Sequence, residues 1–314
     1  MHYYFAPMEG VTDWVYRRVH HKYFSGVERY YTPFLSPGSQ HKNTAKDNRE
    51  IPLADTLDFS VVPQILTKHS EDFIWLAQKC RDLGYEEVNL NLGCPSGTVT
   101  AKKKGSGMLQ DPDAVDALLY EIFSQQAADI SVKTRIGFHD AENFPEILQI
   151  YNRYPIKELI IHPRVRDDFY KGNLHMDVFS YAVQNSRNPI CFNGNLCSKA
   201  DISRFCEAFP QIQALMLGRG LIGNPGMLTV QGTSAQKLED FTDELLEEYT
   251  REFGSARNAM FRMKENWRYL FRLFEHPEKL HKQLRKTTDI AQYKALTHQI
   301  FRELPLRADL DPDW

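Results

Sequence analysis

Cys94 stands in the run Asn91-Leu92-Gly93-Cys94-Pro95, where a glycine before it and a proline after it impose a defined turn. A thiol held this way can serve as nucleophile or as general acid. A nucleophile needs a thiolate, usually activated by histidine, and no histidine lies nearby in sequence. An acid needs only an intact thiol within reach of the substrate. Other residues extend the set. Lys133, in Val132-Lys133-Thr134-Arg135, calls for an anionic or electron-rich partner, because burying a lysine alone is costly. Reduced flavin is a ring that accumulates such charge. Gln64 offers an amide donor and acceptor. His162, in His162-Pro163-Arg164, can donate to the same ring or to a phosphate, or belong to a satisfied core network. Asn193-Gly194-Asn195 and Gly218-Arg219-Gly220 join glycines, which let backbone amides approach an anion, to an arginine that adds a charge-assisted hydrogen bond.

These residues share one address, the end of an apolar run. Eight runs read as strands: 3–8, 27–31, 61–66, 87–92, 130–134, 158–162, 190–193 and 214–217. Most lack clean alternation, as strands buried on both faces do. Helical patterns at 72–83, 112–123, 145–154 and 199–209 lie between them. Eight strand–helix repeats predict a closed (β/α)8 TIM barrel. An open doubly wound sheet is the rival, but the first strand ends in Ala6-Pro7-Met8-Glu9-Gly10 rather than GxGxxG. In the barrel, chemistry gathers at the C-terminal ends of the strands and phosphate sits after the last two. The two Gly-containing turns fall at those two strands.

From residue 233 onward only helical patterns remain, at 236–253, 257–274, 277–286 and 289–304. The expected division is a barrel of residues 1–232 and an α-helical bundle of 233–314, with Gly232-Thr233-Ser234 as linker and an acidic tail from Ala308. The chain of 314 residues carries 38 basic and 41 acidic residues, a net charge of −3, so nucleic-acid binding must be argued locally. Residues 257–294 supply the local case, with ten basic against four acidic residues, a balance of +6. Arg257, Lys264, Arg268 and Arg272 fall on one side of a helix, as a phosphate-tracking face or an ordinary solvated one. No apolar run reaches the roughly 20 residues of a membrane span and no signal peptide is read, so a cytoplasmic protein is expected. Five cysteines without a CxxC pair predict neither a disulfide framework nor a metal site.

Together, Ala6-Pro7-Met8-Glu9-Gly10-Val11-Thr12-Asp13, the Cys94 turn, Lys104-Gly105-Ser106-Gly107, Val132–Arg135, His162-Pro163-Arg164 and the two Gly turns resemble the tRNA-dihydrouridine synthases in order and spacing. The resemblance implies an FMN enzyme that reduces the C5–C6 double bond of particular tRNA uridines with NADPH or NADH; a monomer is expected, with the oligomeric state left open by the sequence. It implies that Pro7, Met8 and Glu9 line the flavin and that Gln64 and Lys133 contact its ring. His162 reaches the ring or its phosphate side, and Asn193, Gly194, Asn195, Gly218 and Arg219 hold the phosphate. Hydride passes from flavin N5 to C6, and Cys94 protonates C5. Asn91 positions the uracil and Arg135 supports the site; Arg164, Arg166, Lys264, Arg268 and Arg272 complete the substrate-binding set. The target base must leave the tRNA stack, and the loop 96–107, with its three lysines, is placed to close over it.

Departures fall near the sixth strand: Pro163 replaces a usual glycine, and Val165-Arg166-Asp167-Asp168 replaces a common Thr-Arg-x-Gln run. Tyr170 and Gly172 still fit Tyr-x-Gly, and Met108 replaces a common alanine. Two other readings compete. One is an FMN barrel acting on a small pyrimidine-like molecule, which leaves the basic helices unexplained. The other is an RNA-binding barrel without turnover, against which the Cys94 and flavin-contact set argues.

Overall fold

All eight apolar runs form strands. In the computed structural model, which describes residues 1–38, 41–42, 44–125 and 128–310, they give nine parallel segments. These are β1 (His2–Phe5), β2 (Arg29–Tyr31), β3 (Ser60–Val62), β4 (Gln64–Ile65), β5 (Glu87–Leu92), β6 (Asp129–Gly137), β7 (Leu159–Val165), β8 (Ile190–Asn193) and β9 (Ala214–Leu217). The sheet order is β3-β2-β1-β9-β8-β7-β6-β5-β4. Its two ends, β3 and β4, are neighbours in the chain, split only by Pro63. Proline has no N–H for the ladder, so one strand is broken into two. The Pro63 carbonyl still accepts the Asn89 amide at 2.8 Å. The Leu35 amide donates to the Gln64 carbonyl at 2.7 Å on the other side. The sheet therefore closes on itself as an eight-stranded (β/α)8 barrel, followed by a helical C-terminal region.

Two strands run further than their apolar cores. β6 continues through Lys133 and Arg135 to Gly137, and β7 continues through His162 and Arg164 to Val165, with a register shift between Arg135 and Gly137. Lys133 thus lies mid-strand rather than at a strand end. The extension is held by the arginines described below.

The helices are α1 (Trp14–Tyr23), α2 (Ala45–Glu50), α3 (Ser70–Asp82), α4 (Gly97–Thr100), α5 (Pro112–Ser124), α6 (Phe144–Tyr151), α7 (Met176–Asn185), α8 (Lys199–Ala208), α9 (Arg219–Gly223), α10 (Ala235–Phe253), α11 (Ala256–Leu270), α12 (Glu278–Lys286) and α13 (Ile290–Glu303). Residues 311–314 of the expected acidic tail lie outside the described residues. Of the described residues, no helix is long and apolar enough to cross a membrane.

The chain forms two compact units. The first comprises residues 1–7, 28–194 and 210–216; the second comprises 8–27, 195–209 and everything from Leu217 onward. In the first, Tyr4, Tyr31, Val62, Ile160, Cys191 and Met216 fill one buried cluster between the strands. Bulky side chains from several strands make such an interior a packed core and not a pore. In the second, Trp267 packs on Phe271, Phe274 and Phe301 and donates its indole N–H to the Tyr293 hydroxyl at 2.8 Å. Ser234 caps the start of α10, Gly254 ends it in the left-handed region at φ +59°, and Ser255 caps α11.

Candidate active site

The turn carrying Cys94 is built by Asn91. Its Oδ1 accepts the Gly93 amide at 3.0 Å and the Cys94 amide at 2.9 Å, so a side chain of β5 folds the backbone beyond the strand end. Ser106 closes the turn from below, its Oγ donating to the Cys94 carbonyl at 2.8 Å and its amide at 3.2 Å. A Cβ on Gly105, where φ is +58°, would lie 2.9 Å from that same carbonyl oxygen. Gly105-Ser106-Gly107 is therefore a buried support under Cys94. The segment expected as a closing loop is folded instead: residues 97–100 are helical and 105–110 form a 3-10 turn. Of its lysines, Lys102 and Lys103 are exposed, while Lys104 is half-buried with Nζ 3.5 Å from Ser36 Oγ.

Asn91 belongs to a ladder of amides across three strands. Asn91 Nδ2 donates to Gln64 Oε1 at 2.7 Å, Gln64 Nε2 to Asn89 Oδ1 at 2.8 Å, and Asn89 Nδ2 to Ser131 Oγ at 2.9 Å. All four are buried. The ladder orients both amides of Gln64 and Asn91 and leaves Gln64 with one further N–H to offer. Asn89 and Ser131 carry no role in the sequence reading. Their signal is period-2 spacing: Asn89 and Asn91 share a face of β5, and Asn89 is in register with Gln64 and Ser131.

Lys133, in register with Asn91, is half-buried and has no ion-pair partner among the described residues. Burial, then the neighbouring Arg135 charge, lowers its ammonium to about 8. The chemistry that such a lysine seeks is negative charge. Arg135 is spoken for. Its Nε donates to the Gly93 carbonyl at 3.0 Å, and its two terminal nitrogens donate to the Val165 carbonyl at 2.8 Å and the Phe169 carbonyl at 2.6 Å. It staples the Cys94 turn to the end of β7 and to the loop beyond, while its guanidinium lies 5.4 Å from the Tyr170 ring centroid.

His162 donates Nδ1–H to the Asn193 carbonyl at 2.7 Å. Its Nε2 then accepts, and faces Arg164 at 3.4 Å. Burial, reinforced by the positive Arg135, Lys133 and Arg164, pushes its pKa well down, so the ring is neutral. The expected donor to a flavin or phosphate is thus already engaged within the protein; what the ring offers a ligand is an acceptor or its face. Arg164 is fully buried and donates to the carbonyls of Lys171 at 3.1 Å and Gly172 at 2.7 Å. It holds the loop that carries Tyr170, whose ring lies edge-on to His162 at 6.4 Å. Arg166 sits half-buried over the Phe138 and Phe169 rings and pairs with Asp167 at 2.9 Å.

The first unit brings together Gln64, Asn91, Cys94, Lys133, Arg135, His162, Arg164 and Asn193, whose Nδ2 donates to the Met216 carbonyl at 2.7 Å. Pro7 closes the first segment of that unit, and Gly194 packs tightly on Leu174. The second unit contains Met8, Glu9, Asn195, Gly218, Arg219 and the basic residues of the C-terminal helices. There Arg219 donates to Asn195 Oδ1 at 3.1 Å, and Asn195 itself takes a positive φ of 36°. Gly220 follows at the start of α9, where a Cβ would collide with the Leu196 carbonyl. Lys264 is turned inward, its Nζ donating to the carbonyls of Arg285 at 3.3 Å and of Thr287, so it caps α12. Arg268 is exposed late in α11, and Arg272 lies beyond that helix in a 3-10 turn, so the stripe expected on one helix face breaks before it.

Known proteins resemble this chain over most of its length. The family model described as dihydrouridine synthase matches residues 4–307. The chain is similar to "tRNA-dihydrouridine synthase B" of Pasteurella multocida, at 29% identity over 233 residues, covering 74% of this chain and 69% of that one. It is also similar to "tRNA-dihydrouridine synthase B" of Proteus vulgaris, at 31% identity, covering 70% and 67%. A Staphylococcus aureus protein described as "Probable tRNA-dihydrouridine synthase" aligns over 93% of this chain and 90% of its own at 27% identity. Among solved structures, histamine dehydrogenase from Rhizobium sp. shares the barrel fold at TM-score 0.54 and 11% identity, covering 79% of this chain and 48% of that one.

Proposed function

The chain belongs to the dihydrouridine synthase family, and from that premise we propose that it reduces the C5–C6 double bond of uridines in tRNA to 5,6-dihydrouridine, with FMN as bound cofactor and NADPH or NADH as electron donor. One observation carries the reading: a thiol held on an Asn91-built turn, with a lysine on the neighbouring strand, in register with Asn91, that has no ion-pair partner among the described residues. The residues fit FMN. Among the described residues Lys133 has no ion-pair partner, Gln64 has an N–H to give, and Gly220 has no room for a Cβ beside the Leu196 carbonyl. Pro7, Met8 and Glu9 would line the ring, Gln64 and Lys133 would contact it, and His162 would pack near it. Asn193, Gly194, Asn195, Gly218 and Arg219 would hold the phosphate. When bound, FMN supplies the hydride that reaches C6.

The protein's own part is orientation and proton supply. Cys94 delivers the proton to C5 as its Sγ–H bond breaks, and the developing charge at C5 and O4 is quenched. The role needs a protonated thiol, and so a thiol pKa above working pH. Asn91 keeps Cys94 where the proton is required. Lys133 steadies the negative charge of the reduced ring. Arg135 ties the Cys94 turn to the Tyr170 loop, so the uracil enters a rigid mouth. Catalysis belongs to residues 1–232, and tRNA docks on the helical region 233–314 through Arg268 and Arg272 among others. The target base turns out of the stack to reach Cys94.

The test is spectroscopic and direct. Purified or reconstituted protein should show flavin absorbance that bleaches with NADPH and returns on adding tRNA lacking dihydrouridine. Protein that neither retains nor takes up FMN would sink the reading.

A further inference from the structure

The loop after β1 carries Met8 and Glu9, and the loop is tied into a ring. The Val11 and Thr12 amides both donate to the Met8 carbonyl at 3.0 Å, and the Met8 amide donates to Thr12 Oγ1 at 2.8 Å. Gly10 takes φ +77° to close it, and its carbonyl is a point of contact with α11. That carbonyl is met by Arg262 of α11. Arg262 also approaches Asp13 Oδ2 with its Nε at 3.7 Å. Asp13 caps α1 by accepting the Tyr16 amide at 3.1 Å, and Tyr249 of α10 donates its hydroxyl to the same Oδ1 at 2.8 Å. The Arg262 guanidinium is itself braced 6.0 Å from the Tyr249 ring centroid and 5.9 Å from that of Phe253. Two C-terminal helices thus each send one side chain to one short loop of the second unit.

Arg257, Lys264 and Arg268 recur along α11 at intervals of seven and four, on one side of the helix, and Arg262 lies off that line. A helix that exposes Arg257 and Arg268 to solvent, keeps Lys264 on the carbonyls after α12, and sets a separate arginine on the Glu9 loop has the parts of a lever. We infer that Arg262, supported by Tyr249, is a positioning residue that sets the Met8–Asp13 loop. It is the link through which RNA docked on α11 orders the loop of Met8 and Glu9, the two residues of this unit that the reading assigns to the flavin. The inference rests on the reading of the chain as a flavin- and tRNA-dependent reductase.

Hydrogen exchange reads the link without turnover. In wild-type protein, added tRNA should slow exchange of the Val11 and Thr12 amides. In Arg262→Ala, those amides should exchange faster from the outset and tRNA should no longer protect them. The kcat for dihydrouridine formation should fall about ten- to hundredfold, while KM for tRNA stays within about twofold. Arg262→Lys, which keeps one donor for the Gly10 carbonyl, should recover part of both. Tyr249→Phe should show a milder form of the same loss, and it covers the case in which Arg262→Ala fails to fold. If wild type binds no flavin and modifies no tRNA, the functional reading fails. If wild type is active but the variants keep tRNA-induced protection and full kcat, or lose only KM, the link does not exist.

Discussion

The Cys94 amide donates to the Asn91 side chain at 2.9 Å, so the residue assigned as proton donor is positioned by an asparagine three residues earlier in the chain. Asn91 is fixed in turn by its own donation to Gln64. Removing the Asn91 side chain should therefore release Cys94 without touching the thiol. Asn91→Ala is expected to lower kcat about a hundredfold while FMN still binds, and to cost about 1–3 kcal/mol of stability from the buried partners left open. Single-turnover oxidation of reduced enzyme by tRNA, with a thermal melt alongside, measures both. A variant with wild-type turnover would remove Asn91 from the positioning role.

Lys133 should impose an alkaline limit on FMN binding. In the free protein its ammonium is lowered to about 8, and an anionic partner favours the charged form. Below that pH the lysine is already protonated; above it, binding must draw in a proton, so affinity falls as pH rises. Lys133→Arg should move the limb upward beyond the measurable range, and Lys133→Met should abolish it while weakening FMN at every pH. Fluorescence titration of FMN between neutral and alkaline pH gives the comparison.

Arg268 is exposed late in α11 and Arg272 is half-buried just beyond it, whereas Lys264 is engaged in capping α12. Reversing both to glutamate should weaken tRNA binding and reduce the slope of log affinity against log salt by about 2, one for each phosphate no longer neutralised. Flavin reduction by NADPH should be unchanged. Lys264→Ala, by contrast, should show itself in the melting temperature first, because Lys264 caps α12.

At the N-terminal end of the barrel, Glu158 is buried beside Glu87 and its pKa is raised to about 7, with burial the larger cause. Its Oε1 accepts from Tyr4 at 3.3 Å, while Arg29 and His2 oppose the shift. The unfolded chain loses this proton near the ordinary glutamate value of 4.5, before the folded one does. Stability should therefore decline as pH rises from about 4.5 to 7, by up to about 3 kcal/mol for a shift of this size. Glu158→Gln should flatten that dependence, and melts across this interval decide it.

The strands were legible because each is a short apolar run, and β4, β5, β7 and β9 are buried along their whole length. α1 and α7 were not read. α1 buries Val15, Tyr16 and Val19 but also Arg17 and His20, which dilutes its apolar stripe. The break at Pro63 makes one strand into two, a detail visible only once the partners of each half are known. Residue types at the site could be chosen from sequence because strand ends concentrate chemistry. Their hydrogen-bond partners could not. Arg164 and His162 look like open hands for a ligand until the loop 165–175 folds back and the Asn193 carbonyl arrives from the next strand. Long-range hydrogen bonds of this kind leave no period in the sequence.

The most direct measurement is nucleoside mass analysis of tRNA lacking dihydrouridine, after incubation with wild-type protein, FMN and NADPH, beside the same reaction with Cys94→Ala. Wild type should add two hydrogens to uridine at defined positions. Cys94→Ala should retain FMN and still oxidise NADPH, yet form dihydrouridine slower by about a hundred- to ten-thousandfold. Absence of dihydrouridine with flavin-loaded wild type would contradict the proposed reaction, and undiminished product from Cys94→Ala would contradict Cys94 as its acid.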